Sequence, residues 1–375
     1  MNGTMKLLEA EQSIWYDNIQ RKLLKDGEMA RMIRAGEIRG VTSNPTIFMN
    51  AIAGSQDYDE TLIPLAKAGH NAEQIFWQLA VEDIQTVADL FAPLYSQTNG
   101  GDGYVSLEVN PYLANDPAAT IEEARKLWQR VNRPNLMVKI PATEKGLPAI
   151  TEAIAAGMNI NVTLIFSRQR YAGVMDAYLS GLEKRLAENL PIAGIASVAS
   201  FFISRVDTLV DARLQEIIRG KNPQAAEASR LLGKAAIANA RLAYADFKEV
   251  SASERFQKIQ AAGGRPQRPL WASTGTKHPD YRDVVYIEEL VGPMTVNTVP
   301  PQTLKAFLDH GVVRLGSVEE NLAEASQVFE SLEALGISMS AATRQLEDEG
   351  VQAFSNAFGE LLASVERRRL AAVFQ

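Results

Sequence analysis

The sequence predicts an α/β fold: a closed (β/α)8 TIM barrel with additional helices at its C-terminal end. Three observations carry this expectation. Eight short β-like runs recur along the 375 residues. Longer charged stretches of helical period fill the gaps between them, the pattern of parallel βαβ units. The length exceeds a typical domain of ~150 residues but suits a barrel built as one unit. Residues 1–375 are therefore read as a single barrel domain, with 312–375 as a helical tail packed on it.

In chain order the strand candidates are SIWYDN (13–18), GVTSN (40–44), YVSLEV (104–109), LMVKI (136–140), INVTLIF (160–166), IASVASF (195–201), PLWAS (269–273) and PMTVN (293–297). Each is rich in β-branched, aromatic or other apolar residues. Helical periodicity marks Ala72 to Leu90, Thr120 to Trp128 and Arg168 to Asn189. From Asp207 to Pro269 a charge-rich helical stretch ends in Gly263, Gly264 and Pro266, and reads as an extended connection within the domain. Beyond the eighth strand, helical patterns at Thr303 to Leu308, Val318 to Leu335 and Ala341 to Val373 predict helices outside or across the barrel. Trp77 and Trp128 read as helix faces packed on the sheet.

Composition narrows the chemistry. Hydrophobic residues at 46% and charged residues at 22% give an ordinary globular balance. With 38 basic and 45 acidic residues the net charge is -7, and no long Lys/Arg block appears, so neither nucleic acid nor an anionic membrane is expected as a partner. Zero cysteines exclude thiol nucleophiles, Cys-zinc sites and iron-sulfur clusters. His70, His278 and His310 are scattered, so no metal is expected. MNGTMKLLEAEQ carries charges where a signal peptide needs an apolar run, and Leu190 to Ser204 falls short of the ~20 residues of a membrane span. A cytoplasmic protein is expected, as monomer or homodimer.

A parallel strand is buried on both faces, so its polar residues are informative. Period-two alternation in 136–140 sends Lys139 toward the barrel interior near the strand's C-terminal end, where barrel enzymes build their active sites. Glu108 holds the equivalent inward place in YVSLEV, and Asn161 and Thr163 alternate with Ile160, Val162 and Leu164. Asp17 ends the first strand, Asn44 the second, and the sixth offers Ser200, with Arg205 following in the loop. A structural lysine in a buried ion pair, or a register shifted by one residue, accounts for Lys139 taken alone. Convergence of Lys, Glu, Asp, Asn and Thr on one mouth points to catalysis. With no Walker A loop and no GxGxxG after a strand, no cofactor is expected, and an amine among carboxylates suggests Schiff-base chemistry on a carbonyl substrate.

These residues resemble the transaldolase family. GVTSNPTIF (40–48) is similar to its signature at the second strand, and LMVKIPATEKGL (136–147) to its signature around the Schiff-base lysine. Asp17, SLEV with Glu108, NVTLIFS (161–167), SFFISR (200–205) and WASTGTK (271–277) extend the resemblance over essentially the whole chain, as in the family's longer members. The resemblance implies that Lys139 forms an imine with a ketose phosphate, that Glu108 and Thr163 manage its water and protons, and that Asp17 takes the proton of the C4 hydroxyl. It implies that Asn44 and Asn161 hold the hydroxyls of the dihydroxyacetone fragment. Ser200 and Phe202 would join them in lining the substrate site, and Arg205 with Ser273 would hold phosphate.

One departure is visible. Where the family often shows Ser-x-Arg after the seventh strand, Ser273 is followed by Thr274, Gly275, Thr276 and Lys277. Lys277 either replaces the missing cation or is a solvated loop lysine, and Arg268 and Arg282 flank the same loop. The implied activity is a transaldolase of the pentose phosphate pathway, with sugar phosphates as small-molecule partners. A fructose 6-phosphate aldolase of the same scaffold is a rival; the resemblance gives such aldolases Gln in place of Glu108 and Tyr in place of Phe202. A non-catalytic barrel that binds sugar phosphate is the other alternative, and it leaves Lys139 without a role.

Overall fold

Short runs of β-branched and aromatic residues become strands here because both of their faces are covered. The computed structural model describes residues 3–220 and 223–374. Met1, Asn2, Lys221, Asn222 and Gln375, which include both ends of the span read as one barrel, lie outside the described residues. Among the described residues seven strands form: β1 (Gln12–Tyr16), β2 (Val105–Glu108), β3 (Leu136–Pro141), β4 (Ile160–Ile165), β5 (Ser197–Phe202), β6 (Arg268–Ala272) and β7 (Thr295–Val299). Every residue in them is buried except Arg268. All pairings are parallel, in the order β1-β7-β6-β5-β4-β3-β2, so the sheet curls and brings β1 and β2 toward each other.

Between β1 and β2 lies the segment expected as a strand at 40–44, and here the structure corrects the sequence. It contributes no ladder-length strand, only Val41 bridging Tyr16 on one side and Val105 on the other. Backbone bonds still close the ring: Arg39 N–H to Ile14 O at 2.8 Å and Thr42 N–H to Tyr16 O at 2.9 Å on one side, Val41 N–H to Tyr104 O and Ser106 N–H to Val41 O, both 2.9 Å, on the other. The segment is short for two physical reasons. Gly40 lies on the indole of Trp15, where a Cβ would sit 2.7 Å from the ring. At the other end Asn44 already caps the helix Pro45–Ala53, accepting from Ile47 N–H at 3.0 Å with Pro45 in the first turn.

The helices read from periodicity appear with ragged ends, at Ala72–Gln97, Pro117–Val131 and Arg168–Ala187. Asn71 and Gln74 form a capping box that fixes the start of the first of these. The described residues of the connection between β5 and β6 form four helices, Ser204–Arg219, Ala225–Leu231, Ala235–Ala252 and Glu254–Ala261. Helices Arg21–Lys25, Glu28–Arg34, Pro45–Ala53 and Asp59–Lys67 had no sequence expectation, being too short to show a sustained period. The tail ends in one helix of 36 residues, Met339–Phe374. It packs along Pro45–Ala53 and reaches β4. Trp77 is packed on this helix, against Phe358 at 6.2 Å between ring centres. No helix among the described residues is long and apolar enough to cross a membrane.

Candidate active site

The parallel register sets Glu108, Lys139 and Asn161 side by side on β2, β3 and β4. Lys139 and Glu108 are each only 4% exposed. The Lys139 ammonium lies 3.2 Å from Glu108 Oε2 and donates to the carbonyl of Ser43 at 3.1 Å. That carbonyl becomes free for the lysine because the 39–42 segment leaves the sheet after Val41. Above the amine stands Phe354 of the C-terminal helix, its ring centre 5.6 Å from Nζ.

Burial pushes the Glu108 carboxyl up to about 7; Lys139 opposes the shift and Asp17 adds to it. Apart from the Lys139 ammonium beside Oε2, neither Glu108 oxygen, nor the fully buried hydroxyl of Thr163, finds a hydrogen-bond partner among the described residues. Buried polar atoms left unpaired are costly, so their grouping here marks a place where a reacting group or water is meant to be bound. Thr163 lies where β4 departs from regularity. The β4–β5 register slips between Val162 and Ile165, and Leu164 adopts φ 60°, a left-handed conformation uncommon for a residue with a Cβ.

Asp17 follows β1 directly. It accepts from Thr42 Oγ1 at 2.6 Å, and Thr42 in turn lies 2.6 Å from Thr298 Oγ1. Burial raises its carboxyl above the ordinary range, opposed by Lys139, the Thr42 bond, Arg205 and Lys277, which places all three cations within electrostatic reach of this carboxyl. Asn161 is immobilised: Nδ2 donates to Ser106 Oγ at 3.0 Å and Oδ1 accepts from Ser200 at 2.7 Å. Ser200 therefore stands behind Asn161 as its support. Asn44 spends its carbonyl oxygen on the helix cap, leaving the amide nitrogen to donate.

Arg205, in the first turn of Ser204–Arg219, holds its guanidinium 5.3 Å from the Phe202 ring centre. No carboxylate lies within ion-pair distance of it among the described residues, and burial lowers its pKa against the pull of Asp17 and Glu349. Ser273 follows β6 with φ 56°, and its hydroxyl meets that of Ser204 at 2.9 Å. Lys277 is exposed on the same loop. The two flanking arginines are committed elsewhere. Arg268 begins β6, at the opposite end of the barrel, and bonds Ser13 and Thr295 O, both at 2.8 Å; Arg282 pairs with Glu288 at 2.7 Å. At that opposite end a cleft of about 400 Å³ opens among Trp15, Tyr104, Met137 and Arg265.

The sequence reading missed Thr42, Ser43 and Ser106, which position Asp17, Lys139 and Asn161. The first two lie inside the 40–48 signature, so the signal was present but their side chains had no assigned partner. Phe354 was also missed. Its only trace is the row Gly350, Phe354, Phe358 at four-residue spacing, which any packed helix shows.

Comparison with known proteins gives the family. The family model for transaldolase/fructose-6-phosphate aldolase matches residues 14–365. A transaldolase of Saccharopolyspora erythraea is 51% identical over 362 residues, 96% of each chain. Transaldolase 1 of Streptomyces coelicolor is 48% identical over 96% of this chain and 93% of its own. A transaldolase of Thermobifida fusca is 48% identical over 97% of each. The chain belongs to the transaldolase/fructose-6-phosphate aldolase family.

Proposed function

We infer that this chain is a transaldolase, a transferase that moves a dihydroxyacetone unit from a ketose phosphate such as sedoheptulose 7-phosphate or fructose 6-phosphate to an aldose phosphate such as glyceraldehyde 3-phosphate or erythrose 4-phosphate. The observation that carries this reading is the pair Lys139 and Glu108: a buried amine 3.2 Å from a carboxyl that burial pushes up to about 7 and that has no partner other than this amine among the described residues. Lys139 adds to the C2 carbonyl. Glu108, with Thr163, gives and takes the protons as water leaves the carbinolamine and the imine forms. Asp17 accepts the C4 hydroxyl proton while the C3–C4 bond breaks, and the aldose phosphate departs.

The three-carbon fragment stays on Lys139 as an enamine until a second aldehyde arrives. Asn161, fixed by Ser106 and Ser200, and the free amide nitrogen of Asn44 orient its hydroxyls. Arg205, with no carboxylate at ion-pair distance among the described residues, holds the phosphate together with Ser273, and Lys277 adds a cation from the loop. The resemblance gives the aldolases of this scaffold Gln at the position of Glu108 and Tyr at that of Phe202, which favours transfer over simple cleavage. The pentose phosphate pathway in the cytoplasm is the setting this reading implies, with sugar phosphates as its partners. Borohydride reduction in the presence of fructose 6-phosphate, followed by peptide mapping, tests it. The expected result is a three-carbon adduct on Lys139; an adduct on another lysine, or none, overturns the reading.

A further inference from the structure

The C-terminal helix is fixed across the barrel mouth. Toward its start Arg170 holds Glu347 through two bonds of 3.1 Å, and Arg213 reaches Gln345 at 2.6 Å. Toward its end Arg368 binds the Ile52 carbonyl at 2.6 Å and pairs with Asp59. Between these anchors Gly350 and Phe354 face the strand ends, with Phe358 following on the same row. A Cβ on Gly350 would lie 3.0 Å from Leu164 Cδ2, so the helix backbone rides directly on the irregular end of β4. Phe358 stacks edge-on against Phe76 and Tyr112, each 5.6 Å away. Phe354, one turn from each, is 4% exposed and holds its ring over the Lys139 amine.

We propose that Phe354 is a positioning residue that keeps water from the enamine carried by Lys139, and so sets how often the fragment is transferred rather than released. The inference rests on the Schiff-base reading of Lys139. Two fates compete for the enamine. In transfer, its nucleophilic carbon bonds to the aldehyde carbon, the aldehyde oxygen gains a proton, and water hydrolyses the resulting iminium. In release, the same carbon takes a proton from water, giving an iminium; water adds, the C–N bond breaks, and dihydroxyacetone leaves with the amine restored. Both fates end in hydrolysis of an iminium, so what separates them is the proton that water delivers to the enamine carbon; an aromatic ring over the amine keeps that water away while the fragment is an enamine, and its face attracts the iminium cation.

The test gives fructose 6-phosphate and erythrose 4-phosphate to wild type, Phe354→Ala and Phe354→Leu in heavy water, and measures singly deuterated dihydroxyacetone released per sedoheptulose 7-phosphate formed. This ratio belongs to each active molecule, so partial unfolding of a variant does not move it. The ratio should rise roughly tenfold in Phe354→Ala and about threefold in Phe354→Leu, which keeps bulk but loses the ring face. If the alanine variant cannot be obtained folded, the leucine variant decides alone. An unchanged ratio alongside an intact Lys139 adduct overturns the role of Phe354 only. Absence of a Lys139 adduct in wild type overturns this role together with the Schiff-base reading.

Discussion

Two carboxyls near one amine need not do the same work, and their surroundings separate them. Glu108 touches Lys139 directly and is pushed up to about 7, whereas Asp17 is held by the Thr42 hydroxyl from the far side. A group that titrates near neutrality can both donate and accept within one imine cycle. Glu108→Ala should therefore slow imine formation by ~100- to 10,000-fold. Asp17→Ala should still accumulate a borohydride-trappable ketose imine but release little aldehyde. Quenched-flow trapping with parallel aldehyde assay distinguishes them, and equal imine formation with equal cleavage in both would refute this division of labour. The wild-type rate of imine formation should also carry an inflection near pH 7 that disappears in Glu108→Gln.

A helix and a loop position the two proposed phosphate cations in different ways. Arg205 sits in the first turn of a helix, half-buried and stacked on Phe202, so its fork is preorganised; Lys277 hangs from an exposed loop. Arg205→Ala should raise KM for phosphorylated substrates about ten- to a hundredfold, since a hydrogen bond to a charged group contributes roughly 1.5 to 3 kcal/mol. Lys277→Ala should cost less. Neither should raise KM for dihydroxyacetone or unphosphorylated aldehydes, and equal losses on both acceptor types would show that these residues support the loop instead. At this scale much was legible. Inward Lys139, Glu108, Asn161 and Thr163 followed from period-two alternation, because a strand buried on both faces leaves few other reasons for polar residues. The 40–44 segment was legible as a barrel position but not as a single bridge, because the contacts that shorten it, Trp15 under Gly40 and Lys139 on the Ser43 carbonyl, come from elsewhere in the chain. The tail helix announced itself by period, yet nothing in its own residues says which end of the barrel it crosses.

The whole molecule is held together partly by buried polar joints that carry no cation, and these shape how its stability changes with pH near neutrality. Asp207, on the helix that bears Arg205, is 2% exposed. Its Oδ1 accepts from Ala236 N–H at 2.7 Å, and its Oδ2 from the Tyr286 hydroxyl at 2.7 Å, so one side chain ties Ser204–Arg219 to Ala235–Ala252 and to the segment after β6. Burial pushes this carboxyl up to about 7, against the bonds from Tyr286 and Ala236. For an acid raised in the folded state, the stabilising contribution is complete below its unfolded value near 4 and is lost as pH rises through 7. Between pH 6 and pH 8 this single group should therefore cost the wild type roughly 1 kcal/mol. Asp207→Asn preserves both contacts, with Oδ1 accepting from Ala236 and Nδ2 donating to the Tyr286 oxygen, but has no proton to lose. Urea denaturation across that range should show the variant losing less stability than wild type as pH rises. Parallel declines in the two proteins would mean that Asp207 is already ionised at pH 6 and that the neutral-range loss originates in another group.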